Sequence, residues 1–65
     1  MERKILVLLV SKVEERRQQL IEALTGGSAK DFAEYRYMCG TIRGLDAASM
    51  EANDLLRRLK EIENE

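Results

Sequence analysis

The side chains able to do chemistry are few in this chain. Its 65 residues contain no histidine and one cysteine. The base best matched to neutral pH is therefore missing, and neither an internal disulfide nor a Cys/His zinc site can be assembled. Cys39, followed by Gly40, reads as a small apolar core residue rather than an activated thiol. Carboxylates fall one helical turn apart at Asp31 with Glu34 and at Glu51 with Asp54. Some metal sites use that spacing, but solvated helix faces use it far more often. Arg16-Arg17 and Arg57-Arg58 could grip phosphate or an acidic partner. With glutamates nearby, they are expected to pair along the helix and to cover apolar surface with their stems. Tyr35 and Tyr37, beside Arg36 and Arg43, could stack on bases. Tyr35 falls on the apolar seam described below, which leaves one aromatic for that task. There is no phosphate-binding glycine loop and no nucleophile in a recognisable constellation. The expectation is a non-enzymatic chain with no cofactor and no metal.

The elements that carry these residues are set by one break, Thr25-Gly26-Gly27-Ser28, in a sequence with no proline. On its N-terminal side Leu6, Leu9, Val10, Val13, Leu20, Ile21 and Leu24 recur at three- and four-residue steps, with Glu14, Glu15, Gln18 and Glu22 on the polar side. This predicts a core-facing helix over about 3–24. Gly26 or Gly27 supplies the left-handed residue that ends it. Ser28 is the expected N-cap of the next helix, with Asp31 three residues on at its positive end. From about 29 to 62, Tyr35, Met38, Ile42, Leu45, Ser49, Ala52, Leu56 and Leu59 form a heptad seam, flanked by Cys39, Ala48, Leu55 and Ile62. Phe32 extends the stripe towards the turn. The fold class that follows is all-α: a two-helix antiparallel hairpin spanning 1–65 with its turn at 25–28, assembling into a helical bundle or docking on a larger protein.

Length turns this hairpin into a reason for partners. Folding back tightly at Gly26-Gly27 brings Val13 opposite Ile42 and Leu6 opposite Ala48, so the shorter helix runs out near residue 53. Bulk from the Ile5–Val10 run would then lie near the narrow Ser49/Ala52 part of the seam. Leu55, Leu56, Leu59 and Ile62 would overhang, each worth roughly 1.5–3 kcal/mol when buried. The six consecutive apolar residues Ile5–Val10 put hydrophobic surface on all sides of a helix. A strand is the competing reading of so short a run, but a lone strand would have nothing to pair with. Gly40 and Gly44 lie four apart in the second helix and could admit a close approach by another helix, mark a kink, or do nothing. A chain this small has little interior, and oligomerisation or docking is the remaining route to stability.

Eleven basic and twelve acidic residues leave a net charge of −1. No general field for a phosphate backbone results, so nucleic acid is not the expected partner. Met1-Glu2-Arg3-Lys4 followed by Ile5–Val10 looks superficially like a signal peptide, yet the apolar run is shorter than a signal core and far short of a bilayer span. The expectation is an intracellular protein with Cys39 reduced and no membrane contact.

The string from Ala29 to Leu45, AKDFAEYRYMCGTIRGL, resembles short helical proteins that tailed bacteriophages encode among genes for head and head-to-tail components. The resemblance rests on Asp31, Tyr35, Arg36, Cys39, Gly40, Ile42, Arg43, Gly44 and Leu45 and covers about a quarter of the chain. It implies a phage origin, a place in the host cytoplasm during infection or in the virion, and a structural or assembly role in head, portal or tail. It carries no catalytic residues across. The partner would be a second copy or a larger phage or host protein, with Leu55, Leu56, Leu59, Ile62, Gly40 and Gly44 at the interface. Two alternatives stand beside it: a small regulator of a host or phage enzyme, and an RNA-binding hairpin dimer. The latter is disfavoured because no helix face carries a clear basic stripe.

Overall fold

The computed structural model describes residues 3–63 and is an all-α helical hairpin, with α1 at Arg3–Thr25 and α2 at Phe32–Glu63. The Ile5–Val10 run is helical, and α2 continues through Gly40 and Gly44. The molecule is a rod, 52 × 15 × 15 Å in extent.

The end of α1 is fixed by Gly27, whose φ of 82° is one an L side chain rarely adopts. That geometry turns two amides back onto the last turn. Gly27 N–H donates to the Leu24 carbonyl at 3.2 Å and Ser28 N–H to the Ala23 carbonyl at 3.0 Å, satisfying acceptors the helix would leave open. Ser28 is thereby spent on closing α1 and does not cap α2, as its position after the glycines suggested. The cap is Asp31: its carboxylate accepts the Glu34 amide at 2.8 Å, and its carbonyl accepts the Tyr35 amide at 3.0 Å. The second helix accordingly begins at Phe32 rather than near residue 29.

This longer connection, residues 26–31, changes the register. The buried cluster joins Leu6 and Val10 of α1 to Ala52 of α2, with Leu56 packed against it. Farther along, Arg17 pairs with Asp46. Leu6 thus comes level with Leu56 rather than Ala48, a slip of about eight residues or roughly 12 Å along the axis. The large-against-small complementarity survives, since Ala52 receives the bulk of Leu6 and Val10. The overhang does not survive in its expected form. Leu56 and Leu59 are half-buried, Leu56 against the Leu6/Val10/Ala52 cluster, whereas Leu55 and Ile62 remain 53% and 64% exposed. At the turn end the opposite happens. Thr25 is level with about residue 37, so the first turn of α2 has no helix facing it. Tyr35, expected on the seam, is exposed for that reason.

The interior is thin. Leu6, Val10, Met38 and Ala52 are the buried residues of the described chain, and none of its buried residues is polar. No described helix is long and apolar enough to cross a membrane.

Candidate protein-interaction surface

The groups singled out for chemistry are occupied with structure. Asp31 caps α2 with its carboxylate. Asp54 accepts both Arg57 and Arg58, the latter at 3.0 Å. Neither acidic pair gathers a third ligand, and no metal-holding group of three or more such side chains occurs among the described residues. The Arg17–Asp46 bridge crosses between the helices with both side chains partly exposed. It marks the register, and its 29-residue separation gave it no signal in the sequence. Cys39 is a half-buried free thiol. Tyr35, one turn before it, is held above the ordinary phenol range, first by hydrogen bonding to the Cys39 side chain and then by the charge a thiolate would carry there. Tyr35 also stacks on Phe32 with ring centroids 6.1 Å apart, and the Arg36 guanidinium lies 5.9 Å from the Phe32 ring centre. This aromatic knot consolidates the first turn of α2 after α1 has ended.

The remaining feature is apolar surface. Leu6 and Val10 point at α2, and successive helix residues step by about 100°. The other members of the run must therefore point elsewhere: Ile5, Val7, Leu8 and Leu9 are 59%, 50%, 58% and 48% exposed. They divide by direction. Ile5 and Leu9 lie on one flank of the rod. Val7 lies on the other, and Leu8 faces straight out, where a shallow groove is lined by Arg3, Lys4, Val7, Leu8 and Ser11.

The same reckoning on α2, taken from Ala52 as the inward residue, puts Leu55 and Ile62 on the flank of Ile5 and Leu9. A cleft lined by Leu6, Leu55, Arg58, Leu59 and Ile62 runs along this side. The opposite flank is polar at mid-length, where Glu14, Arg17, Gln18, Asp46 and Ser49 line a groove. Ala48, Gly44 and Tyr37 continue the apolar flank of α2 towards the turn. A Cβ built on Gly40 or Gly44 meets nothing within 4 Å, so within the chain these glycines relieve no crowding.

Of the anticipated interface residues, then, Leu55, Ile62 and Gly44 share one exposed flank, with Gly40 beside them. Leu56 and Leu59 belong mainly to the hairpin's own seam. Sequence reading missed the contribution of Ile5 and Leu9 to this flank. The signal was present in their place beside Leu6 and Val10, but joining them to Leu55 required the true register. Comparisons with protein-family models, with curated proteins and with solved structures gave no match to this chain.

Proposed function

We propose that this chain is a non-enzymatic assembly element that works through helix-mediated protein–protein contacts, as a structural or assembly protein of a tailed bacteriophage. The observation that carries the contact part is the apolar run Ile5–Val10, four of whose six side chains stand about half exposed or more on a rod with almost no interior. Exposed aliphatic side chains in this density are costly to solubility and are kept where another surface covers them. The bacteriophage part is supported by the resemblance of the Ala29–Leu45 string. Head, portal and tail components are the larger bodies on which such a rod would dock, in the infected host's cytoplasm or in the particle.

Quantitative mass spectrometry of purified phage particles and of head and tail intermediates tests this reading. A structural component is expected at a fixed, integral ratio to a known shell protein. Replacing Leu8 with Glu, at an outward position that leaves the hairpin's seam untouched, is expected to lower incorporation with helicity unchanged. Absence of the chain from particles and from every intermediate would defeat the assembly role and leave the regulator of an enzyme as the better reading.

A further inference from the structure

We propose that the apolar flank of the rod is covered by a second copy of this chain, the two hairpins lying side by side and pointing the same way, related by a twofold axis parallel to their length. The inference deepens the contact-based reading above and rests on it. The product is a four-helix bundle in which α1 of one copy packs on α2 of the other.

Area motivates the partner. A compact monomer of 7.5 kDa is expected to expose about 4,200 Å², whereas this chain exposes 5253 Å². The surplus, about 1,000 Å², is close to the roughly 800 Å² that each partner contributes to a standard interface. One 52 × 15 Å face of the rod supplies an area of that size.

Charge selects the occupant and its orientation. Along the flank, Ile5 and Leu9 of α1 are followed towards the turn by Lys12 and Arg16; on α2, Ile62, Leu55 and Arg58, the last already paired with Asp54, are followed by Glu51, Ala48 and Gly44. By the observed register Lys12 is level with about residue 50 and Arg16 with about residue 46. Lys12, Arg16 and Glu51 make no ion pair with any described residue of their own chain. A twofold axis along the rod brings α1 over the partner's α2 at equal height. Ile5 and Leu9 then meet the second copy's Leu55 and Ile62. Lys12 meets its Glu51 on the rim, twice by symmetry. The Arg16 stem crosses the space left by Gly44, where no Cβ stands, and its guanidinium reaches the rim. Every neighbouring helix pair in this bundle is antiparallel, so the helix dipoles also agree.

The competing twofold, perpendicular to the rod, fails on the same residues. It stacks α1 on α1 in opposite directions, and full overlap sets each Lys12 against the other copy's Arg16. Sliding the rods to bring the apolar ends together avoids this clash but abandons half of the area. A like-charge opposition of this kind excludes wrong arrangements.

Sedimentation equilibrium of the full chain is expected to show a dimer. Lys12→Glu or Glu51→Lys alone should weaken it roughly tenfold, since two rim pairs become repulsions; the double exchange should restore it. All three variants change exposed positions and should match the helicity of the wild type in dilute solution, where neither is dimeric. In a Cys39→Ser background, chains carrying Lys12→Cys mixed with chains carrying Glu51→Cys should oxidise to the mixed dimer. A monomer at millimolar concentration, a double exchange no tighter than the single variants, or preferential crosslinking of Lys12→Cys with Arg16→Cys chains would each overturn the proposal. A monomer found at a fixed ratio in particles would leave the assembly role standing and assign the flank to another protein. A dimer absent from particles would do the reverse.

Discussion

At the scale of single residues, the hairpin depends on how backbone groups are satisfied at the turn. Asp31 carries the cap, so Asp31→Ala should cost about 1 kcal/mol, while Ser28→Ala should be near neutral because it is the Ser28 backbone that bonds to Ala23. Thermal melts followed by circular dichroism separate the two. Gly27→Ala forces a methyl into φ 82° and should also cost about 1 kcal/mol. Gly40 and Gly44 present the reverse case. Both sit in helix with open space around them, so alanine should stabilise the dilute chain by up to about 1 kcal/mol at each. At Gly44 the same methyl would stand where the second copy's Arg16 stem passes. Gly44→Ala should therefore raise helix stability at low concentration and weaken dimerisation, a split that Gly40→Ala should not show as strongly. Tyr35 supplies a pH signature. Its raised titration point means the folded state holds the phenol proton more tightly than the unfolded chain. The associated stability is fully present below the ordinary phenol value of about 10 and is lost as pH rises through the folded value. Cys39→Ala should bring the Tyr35 absorbance titration back towards the ordinary value.

At the scale of elements, the hairpin stands on a short stretch of seam near its open end. Leu6 is 4% exposed and Val10 and Ala52 are each 8% exposed, so Leu6→Ala removes the largest part of a small core. It should cost 2 kcal/mol or more, enough to melt much of the helix in dilute solution. Arg17→Ala should cost well under 1 kcal/mol, because both members of the bridge to Asp46 are partly exposed to screening water. Chemical denaturation of both variants against wild type checks the ranking. These elements show what was legible in the sequence and what was not. Two helices, the glycine break and the seam from Met38 to Leu59 could all be read from periodicity, which depends only on local spacing. The small Ala52 opposite the bulky N-terminal run was also readable, because volume complementarity is visible in residue types. Register was not. It rests on contacts far apart in sequence, Leu6 and Val10 against Ala52 and Arg17 with Asp46, together with a connection that opens α2 at Asp31 rather than Ser28, and local spacing shows none of these. The overhang of Leu56 and Leu59 went with it. Replacing those two leucines with glutamate is expected to break the hairpin itself, whereas Leu55 and Ile62 stay available as probes of contact alone.

At the scale of the whole molecule, the rod is far from the compact shape its length allows. Its radius of gyration is 15.1 Å, against about 11 Å for a globular domain of 65 residues. So few residues are buried that folding and association should be coupled, with the second copy acting as a ligand of the folded state. Stability would then rise with concentration, gaining about 2.7 kcal/mol when the copy is present at a hundredfold over its dissociation constant. Calorimetric melts over a hundredfold range of chain concentration should show the midpoint climbing steadily. Salt adds a second axis. Screening at high ionic strength should remove the Lys12–Glu51 contribution but leave the Ile5, Leu9, Leu55 and Ile62 contact intact. The slope against concentration should therefore persist in 1 M salt with a modestly lower midpoint. Leu55→Gln with Ile62→Gln should flatten the slope while leaving the dilute midpoint almost unchanged, since neither side chain belongs to the buried cluster. A midpoint independent of concentration in the wild type would mean that the thin seam alone sustains the rod, and that the exposed flank is reserved for a different protein.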